Sequence, residues 1–133
     1  MSVLDGSALA ALALGRPEAG KLAAQLEGAR NRVTHPLALY SAVAAVARET
    51  GRPIDAAYGE LAALMAAAEI ELVPVGQPET ITALEAFARY GTGGRQPAQL
   101  NMEECFSYAL AKLQGAELVY AGDAFADTDL VRY

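Results

Sequence analysis

Four short apolar runs punctuate this chain, and stretches of helical periodicity separate them. Val3-Leu4, Arg32-Val33-Thr34 and Leu118-Val119-Tyr120 read as short strands. Ile70-Glu71-Leu72-Val73-Pro74-Val75 alternates apolar and polar residues, with Pro74 marking a strand end or an edge. Between them, Ser7 to Leu14 is helical, with Ser7 as the expected N-cap. Pro17 fits the first turn of a helix carrying Ala19, Leu22, Ala23 and Leu26. Pro36 opens another, with Leu37, Tyr40, Ala44 and Ala47 on one face and Gly51 as its stop. Further helices are expected over Asp55 to Ala68, Pro78 to Tyr90 and Asn101 to Leu113. Parallel neighbours need long crossovers, usually helices, whereas antiparallel ones need only hairpins. The alternation therefore predicts one α/β domain over residues 1–133, with a mostly parallel central sheet flanked by helices.

The composition supports a packed domain: 53% of the 133 residues are hydrophobic and 20% are charged. No apolar run reaches the roughly 18 residues of a membrane span. The opening MSVLDGSAL lacks a basic leader segment, so no membrane association and a cytoplasmic location are expected. One cysteine, Cys105, precludes an internal disulfide, and one histidine, His35, argues against a histidine-rich zinc site. The net charge of −6 disfavours broad duplex binding, which relies on Lys and Arg at phosphates.

Asp5 ends the first strand just before a helix, which is where open α/β sheets keep their active sites. Two other acidic groups lie far off in sequence, Glu103-Glu104 and Asp123, Asp127 and Asp129. If they converged, oxygen ligands of this kind would suit Mg²⁺ or Mn²⁺. Simpler readings exist for each. Asp5 can cap the turn that follows it. Asn101 and Glu104 have capping-box spacing, and the pattern alone favours that role. Glu103 reads as a solvated first-turn acid. The tail acids read as turn residues, Cys105 as core, and His35 as a strand-end or turn residue. The loop Gly91-Thr92-Gly93-Gly94-Arg95-Gln96-Pro97 lacks the Gly-Lys-Ser/Thr ending of a P-loop, so Arg95 reads as a solvated charge.

Three segments together carry a resemblance. They are Val3-Leu4-Asp5-Gly6-Ser7-Ala8-Leu9, the stretch Leu100-Asn101-Met102-Glu103-Glu104-Cys105-Phe106-Ser107-Tyr108-Ala109-Leu110-Ala111, and Gly122-Asp123-Ala124-Phe125-Ala126-Asp127-Thr128-Asp129-Leu130. In these the chain resembles the PIN-domain ribonucleases, in particular the VapC-type toxins of toxin–antitoxin pairs, over nearly its whole length. The resemblance implies a metal-dependent endoribonuclease in which acidic side chains hold Mg²⁺ or Mn²⁺. It also implies an RNA substrate such as transfer RNA, a cognate antitoxin and a homodimer. Its implied catalytic and metal-holding residues here are Asp5, Glu104 and Asp123, with Ser7, Ser41, Asn101, Asp127 and Asp129 in support. The chain departs from the pattern at Ser41 and Ala124, which stand where the family has acids, and at Glu104, which stands for an Asp. Those departures make a catalytically impaired PIN-fold binding module the competing expectation. A phosphatase or receiver using Asp5 as nucleophile is disfavoured, because Ser7 stands where a second Asp is wanted.

Overall fold

The computed structural model describes residues 1–130. The expected tail from Gly122 onward is therefore seen as far as Leu130, and residues 131–133 lie outside the described residues. The chain forms β1 (Ser2–Leu4), α1 (Gly6–Leu14), α2 (Ala19–Glu27), β2 (Arg32–Thr34), α3 (Pro36–Thr50), α4 (Ile54–Ala67), β3 (Ile70–Leu72), α5 (Gln77–Tyr90), α6 (Met102–Gln114) and β4 (Glu117–Val119). The strands make one sheet in the order β3-β2-β1-β4, and every pairing is parallel.

Strand alternation builds two cores. Leu4, Val119 and Ile70 face the layer containing α1 to α4, where they pack with Leu9, Val46 and Leu61. Val3, Val33 and Leu118 face the opposite layer, with Leu100, Tyr108, Leu110 and Phe125. The register explains this split, since Val3 pairs with Val33 and Leu118, and Leu4 pairs with Val119. Burying a side chain such as Leu4, Leu9 or Phe125 contributes about 1.5–3 kcal/mol each. These strands are apolar on both faces because helices cover both, as in parallel sheets generally.

Some local expectations shift. Asp5, not Ser7, is the N-cap of α1, in extended backbone with its carboxylate accepting from the Ser7 N–H. Pro17 lies in a turn before α2 rather than inside the helix. The third strand stops at Leu72, although the Val73 N–H still donates to the Thr34 carbonyl at 2.9 Å. Among the described residues no helix is long and apolar enough to cross a membrane.

Strand order reverses direction between β1 and β4, because β2 and β3 extend one way and β4 returns to the other side. In open α/β sheets the crevice at such a point, beyond the carboxyl ends of the strands, is the usual ligand site. Asp5 follows β1 at that edge.

Candidate active site

Asp5 is buried and fixed on three sides. Its amide donates to the Val119 carbonyl at 2.9 Å. One carboxylate oxygen, Oδ2, accepts from the Ser7 amide at 3.0 Å and the Ser7 hydroxyl at 2.6 Å. The Ser7 hydroxyl in turn accepts from the Ala121 amide at 3.1 Å, tying the end of β4 to the start of α1. Ser7 thus orients the Asp5 carboxylate.

Helix α6 brings the second acid. Glu103 and Ser107 are one turn apart, so they share a helix face. The Ser107 hydroxyl lies 2.6 Å from Asp5 Oδ1 and 2.9 Å from Glu103 Oε2. Glu103 Oε2 also accepts from the Gly6 amide at 3.1 Å, so that Ser107 and Gly6 hold it beside Asp5. Gly6 permits this approach. A Cβ there would stand 2.9 Å from the Ala38 carbonyl oxygen, 3.2 Å from Ser41 Cβ and 3.3 Å from Glu103 Oε2.

His35 completes the cluster. It caps α3 by accepting from the Ala38 amide at its Nδ1, 3.3 Å away. That acceptance assigns the ring hydrogen to Nε2, which donates to the Ser107 hydroxyl at 2.8 Å. A serine and a histidine at this distance suggest a nucleophile and its base, but the direction is wrong. Nε2 already carries a proton, and both side chains are fully buried.

Burial sets the electrostatics. It pulls the His35 imidazole down to about 4, with the charge of Asp5 opposing the shift. Burial also pushes the Glu103 carboxyl well above the usual range, reinforced by the hydrogen bond to Asp5 and its charge; the Gly6 amide and Ser107 oppose this only in part. Glu103 therefore carries a proton at neutral pH. The 3.9 Å approach of His35 to Glu103 is accordingly a contact of two neutral groups and not an ion pair.

The expected acid triad is not assembled. Glu104 forms the capping box: Asn101 Oδ1 accepts from its amide at 2.8 Å, and its Oε1 accepts from the Asn101 amide at 2.9 Å. Burial raises the Glu104 pKa, with the Asn101 amide opposing and the charge of Asp5 adding to the rise. Asn101 thus serves the helix end. Asp123 and Asp127 are exposed in the final loop. Asp129 is held on another face of α6, with Tyr108 donating at 2.7 Å and Lys112 paired at 2.7 Å. Burial raises its pKa, but the hydrogen bonds from Lys112 and Tyr108 and the charges of Lys112 and Arg89 outweigh that and hold it low. Among the described residues no three His, Cys, Asp or Glu side chains stand together as a metal-ligand set.

Of the two positions lacking acids, Ser41 lies at the site, beside Gly6 and along a groove that also borders Glu103. Ala124 packs against the core around Phe125. The groove has a volume of about 840 Å³ and is lined by Pro36, Tyr40, Arg48 and Met102 among others. A smaller hollow shares Pro36, Tyr40 and Ala44 with it and continues to Ile54, Tyr58 and Leu72. Sequence reasoning missed Glu103, Ser107 and His35 as site residues. A signal was present for two of them: once the capping box commits Glu104, Glu103 faces a different direction, and Ser107 is its neighbour one turn on.

Comparison with known proteins places this geometry in context. The PIN domain model matches residues 2–130. A VapC ribonuclease of Rhizobium meliloti is 33% identical over 141 aligned positions, spanning 98% of this chain and 99% of the relative. A ribonuclease VapC of Mycolicibacterium smegmatis is 37% identical, over 96% of each chain. The crystal structure of Mycobacterium tuberculosis VapC20, a sarcin-ricin-loop-cleaving toxin, superposes with a TM-score of 0.76 at 17% identity, covering 100% of this chain and 98% of that one. A toxin–antitoxin complex from Klebsiella pneumoniae gives 0.68 at 18% identity, covering 100% and 97%.

Proposed function

We propose, since this chain belongs to the PIN-domain family and to its VapC branch, that it is the toxin-side protein of a VapC-type toxin–antitoxin pair. In this reading its substrate class is RNA, its activity is that of an endoribonuclease, and its turnover is impaired. The observation that carries the reading is the buried Asp5 carboxylate at the β1–β4 edge, joined there by Glu103 and flanked by the long groove. The groove supplies a surface for RNA or for a segment of a cognate antitoxin. The patch of Tyr40, Ile54, Tyr58 and Leu72, all exposed, supplies a surface for a homodimer. A cytoplasmic location agrees with a lone, buried cysteine.

The family's chemistry uses Mg²⁺ or Mn²⁺ held by acidic side chains, and such an ion activates water and stabilises charge at a scissile phosphate. The donor set of this chain does not fit that ion. Glu104 is engaged at the helix cap, Asp123 is exposed in the final loop, and the oxygens of Asp5 and Glu103 are taken up by Ser7, Gly6 and Ser107. What the chain's own residues do is hold one carboxylate rigidly at the sheet edge and exclude water from behind it. A second reading, a PIN-fold binding module that has ceased to cut, is favoured by the same incomplete set together with Ser41 and Ala124.

The test is cleavage of a pool of transfer RNA and single-stranded RNA by the purified protein, with Mg²⁺, Mn²⁺ or a chelator. Cleavage that is abolished by Asp5→Asn supports the ribonuclease reading. Absence of cleavage, with RNA or antitoxin still bound, favours the binding module. Neither cleavage nor binding would overturn both.

A further inference from the structure

We propose that Glu103 closes the Asp5 carboxylate into a four-residue hydrogen-bonded staple with Ser107 and His35, and that this staple has replaced the divalent-cation site in this chain. The inference rests on the VapC reading above only for where the cation would have been.

The oxygen inventory carries the argument. Asp5 Oδ2 takes two donors, both from Ser7, and Oδ1 takes the Ser107 hydroxyl. Glu103 Oε2 takes the Gly6 amide and lies within reach of Ser107. The Ser107 hydroxyl, 2.6 Å from Asp5 Oδ1 and 2.9 Å from Glu103 Oε2, stands between the two carboxyls, where a bridging cation would have to displace it. Asp5 itself is 1% exposed, so a hydrated ion cannot reach it without moving Glu103. Mg²⁺ demands near-ideal octahedral geometry and gives up water reluctantly, so a site must offer free oxygens at an open edge. Here three donors already occupy Asp5, leaving one lone-pair site on Oδ1, and that site is buried.

The surroundings do not compensate. Ser41 lies beside Gly6 and shares the groove with Glu103, and its hydroxyl brings no charge to the cluster. Ala124 brings a methyl group. The staple instead has a structural job. It joins the end of β1 and the start of α1 to the first turn of α6 and the cap of α3, through residues up to 102 positions apart. A buried polar cluster in which each member finds a partner fixes the relative placement of the elements that supply it.

The experiment is a titration of the full-length, chelator-treated protein with Mn²⁺ alone, followed by calorimetry and by the magnetic resonance signal of free Mn²⁺. The wild type and Asp5→Asn are compared with a triple variant, Ser41→Glu, Ala124→Asp and Glu103→Ala. The wild type is expected to show no saturable binding below about 1 mM, matching Asp5→Asn. The triple variant is expected to gain one saturable site at least roughly tenfold tighter. A wild-type site that saturates below that concentration and disappears in Asp5→Asn overturns the proposal. So does a folded triple variant, checked by circular dichroism, that gains nothing. If the triple variant fails to fold, Ser41→Glu with Ala124→Asp, retaining Glu103, is compared instead, and less than a tenfold gain together with an unbound wild type supports the staple. RNA and antitoxin binding are measured separately, so loss of the toxin reading would leave the cation result to stand or fall by itself.

Discussion

The Ser107 hydroxyl sits 2.6 Å from Asp5 Oδ1 across 102 residues of sequence, and it is the one group that touches Asp5, Glu103 and His35 together. It accepts from the imidazole and gives its single hydrogen to a carboxylate. Removing it leaves the buried His35 Nε2 without a partner and takes one hydrogen bond from the buried Asp5 carboxylate. Ser107→Ala is therefore expected to cost about 2–3 kcal/mol, above the usual loss for one hydrogen bond, because unpaired buried groups bear their full desolvation cost. Urea unfolding of the two proteins checks this. A loss below about half a kcal/mol would show that the cluster contributes nothing to stability.

The same cluster gives a pH profile with a defined sign. His35 falls from 6.5 in the unfolded chain to about 4 in the fold. Between those values the unfolded chain binds more protons, so His35 makes stability rise with pH. Glu103 is raised, so above its ordinary 4.5 the folded protein binds more protons, and stability falls as pH climbs through the raised value. The two slopes oppose each other in mildly acid solution, and above 6.5 only the Glu103 slope survives. Stability should be nearly flat in the acid range and decline in neutral and alkaline solution, by at most about 1.4 kcal/mol per pH unit. Glu103→Gln should remove the alkaline decline. Equal alkaline slopes in both proteins would contradict the assignment.

How far the sequence could be read follows from which forces act locally. Hydrophobic period and punctuation by Pro36, Gly51 and Asn101 located the helices within one or two residues, since caps and periodicity are local properties. Asp5 was legible because it ends a strand and starts a helix. Glu103 and Glu104 were not separable by composition, for both lie in the first turn of α6; what divides them is a capping box that engages one at the helix end. His35 and Ser107 were illegible as partners, because their meeting depends on how α3 and α6 pack, 72 residues apart. The acids of the final loop misled for the same reason: Phe125 anchors that loop in the core and leaves Asp123 and Asp127 in solvent.

Gly6 tests the packing that brings these elements together. Its missing side chain would meet the Ala38 backbone oxygen at 2.9 Å, and a backbone atom inside α3 cannot swing aside as a side-chain tip can. Gly6→Ala should cost about 1–3 kcal/mol, as overpacked sites do, although alanine is ordinarily the better helix former. Thermal unfolding reads the effect. An unchanged or raised Tm would mean that α1 and α3 separate easily, and the staple would lose its rationale.

Glu103 and Glu104 are neighbours in sequence with different work, and substitution can tell them apart by more than stability. Glu104→Gln keeps a group able to accept from the Asn101 amide, so it should cost less than about 1 kcal/mol. It should also leave any RNA cleavage unchanged, because its carboxylate is engaged at the cap. Asp5→Asn should abolish that cleavage. Wild-type cleavage should itself lie roughly three or more powers of ten below that of the Mycolicibacterium smegmatis relative, as when several members of one catalytic unit are lost together. Cleavage rates for the four proteins, measured on one single-stranded RNA, decide the point. A wild-type rate within tenfold of the relative, with Glu104→Gln as damaging as Asp5→Asn, would mean that Glu104 leaves its cap to work beside Asp5, and that the closed cluster opens when RNA binds.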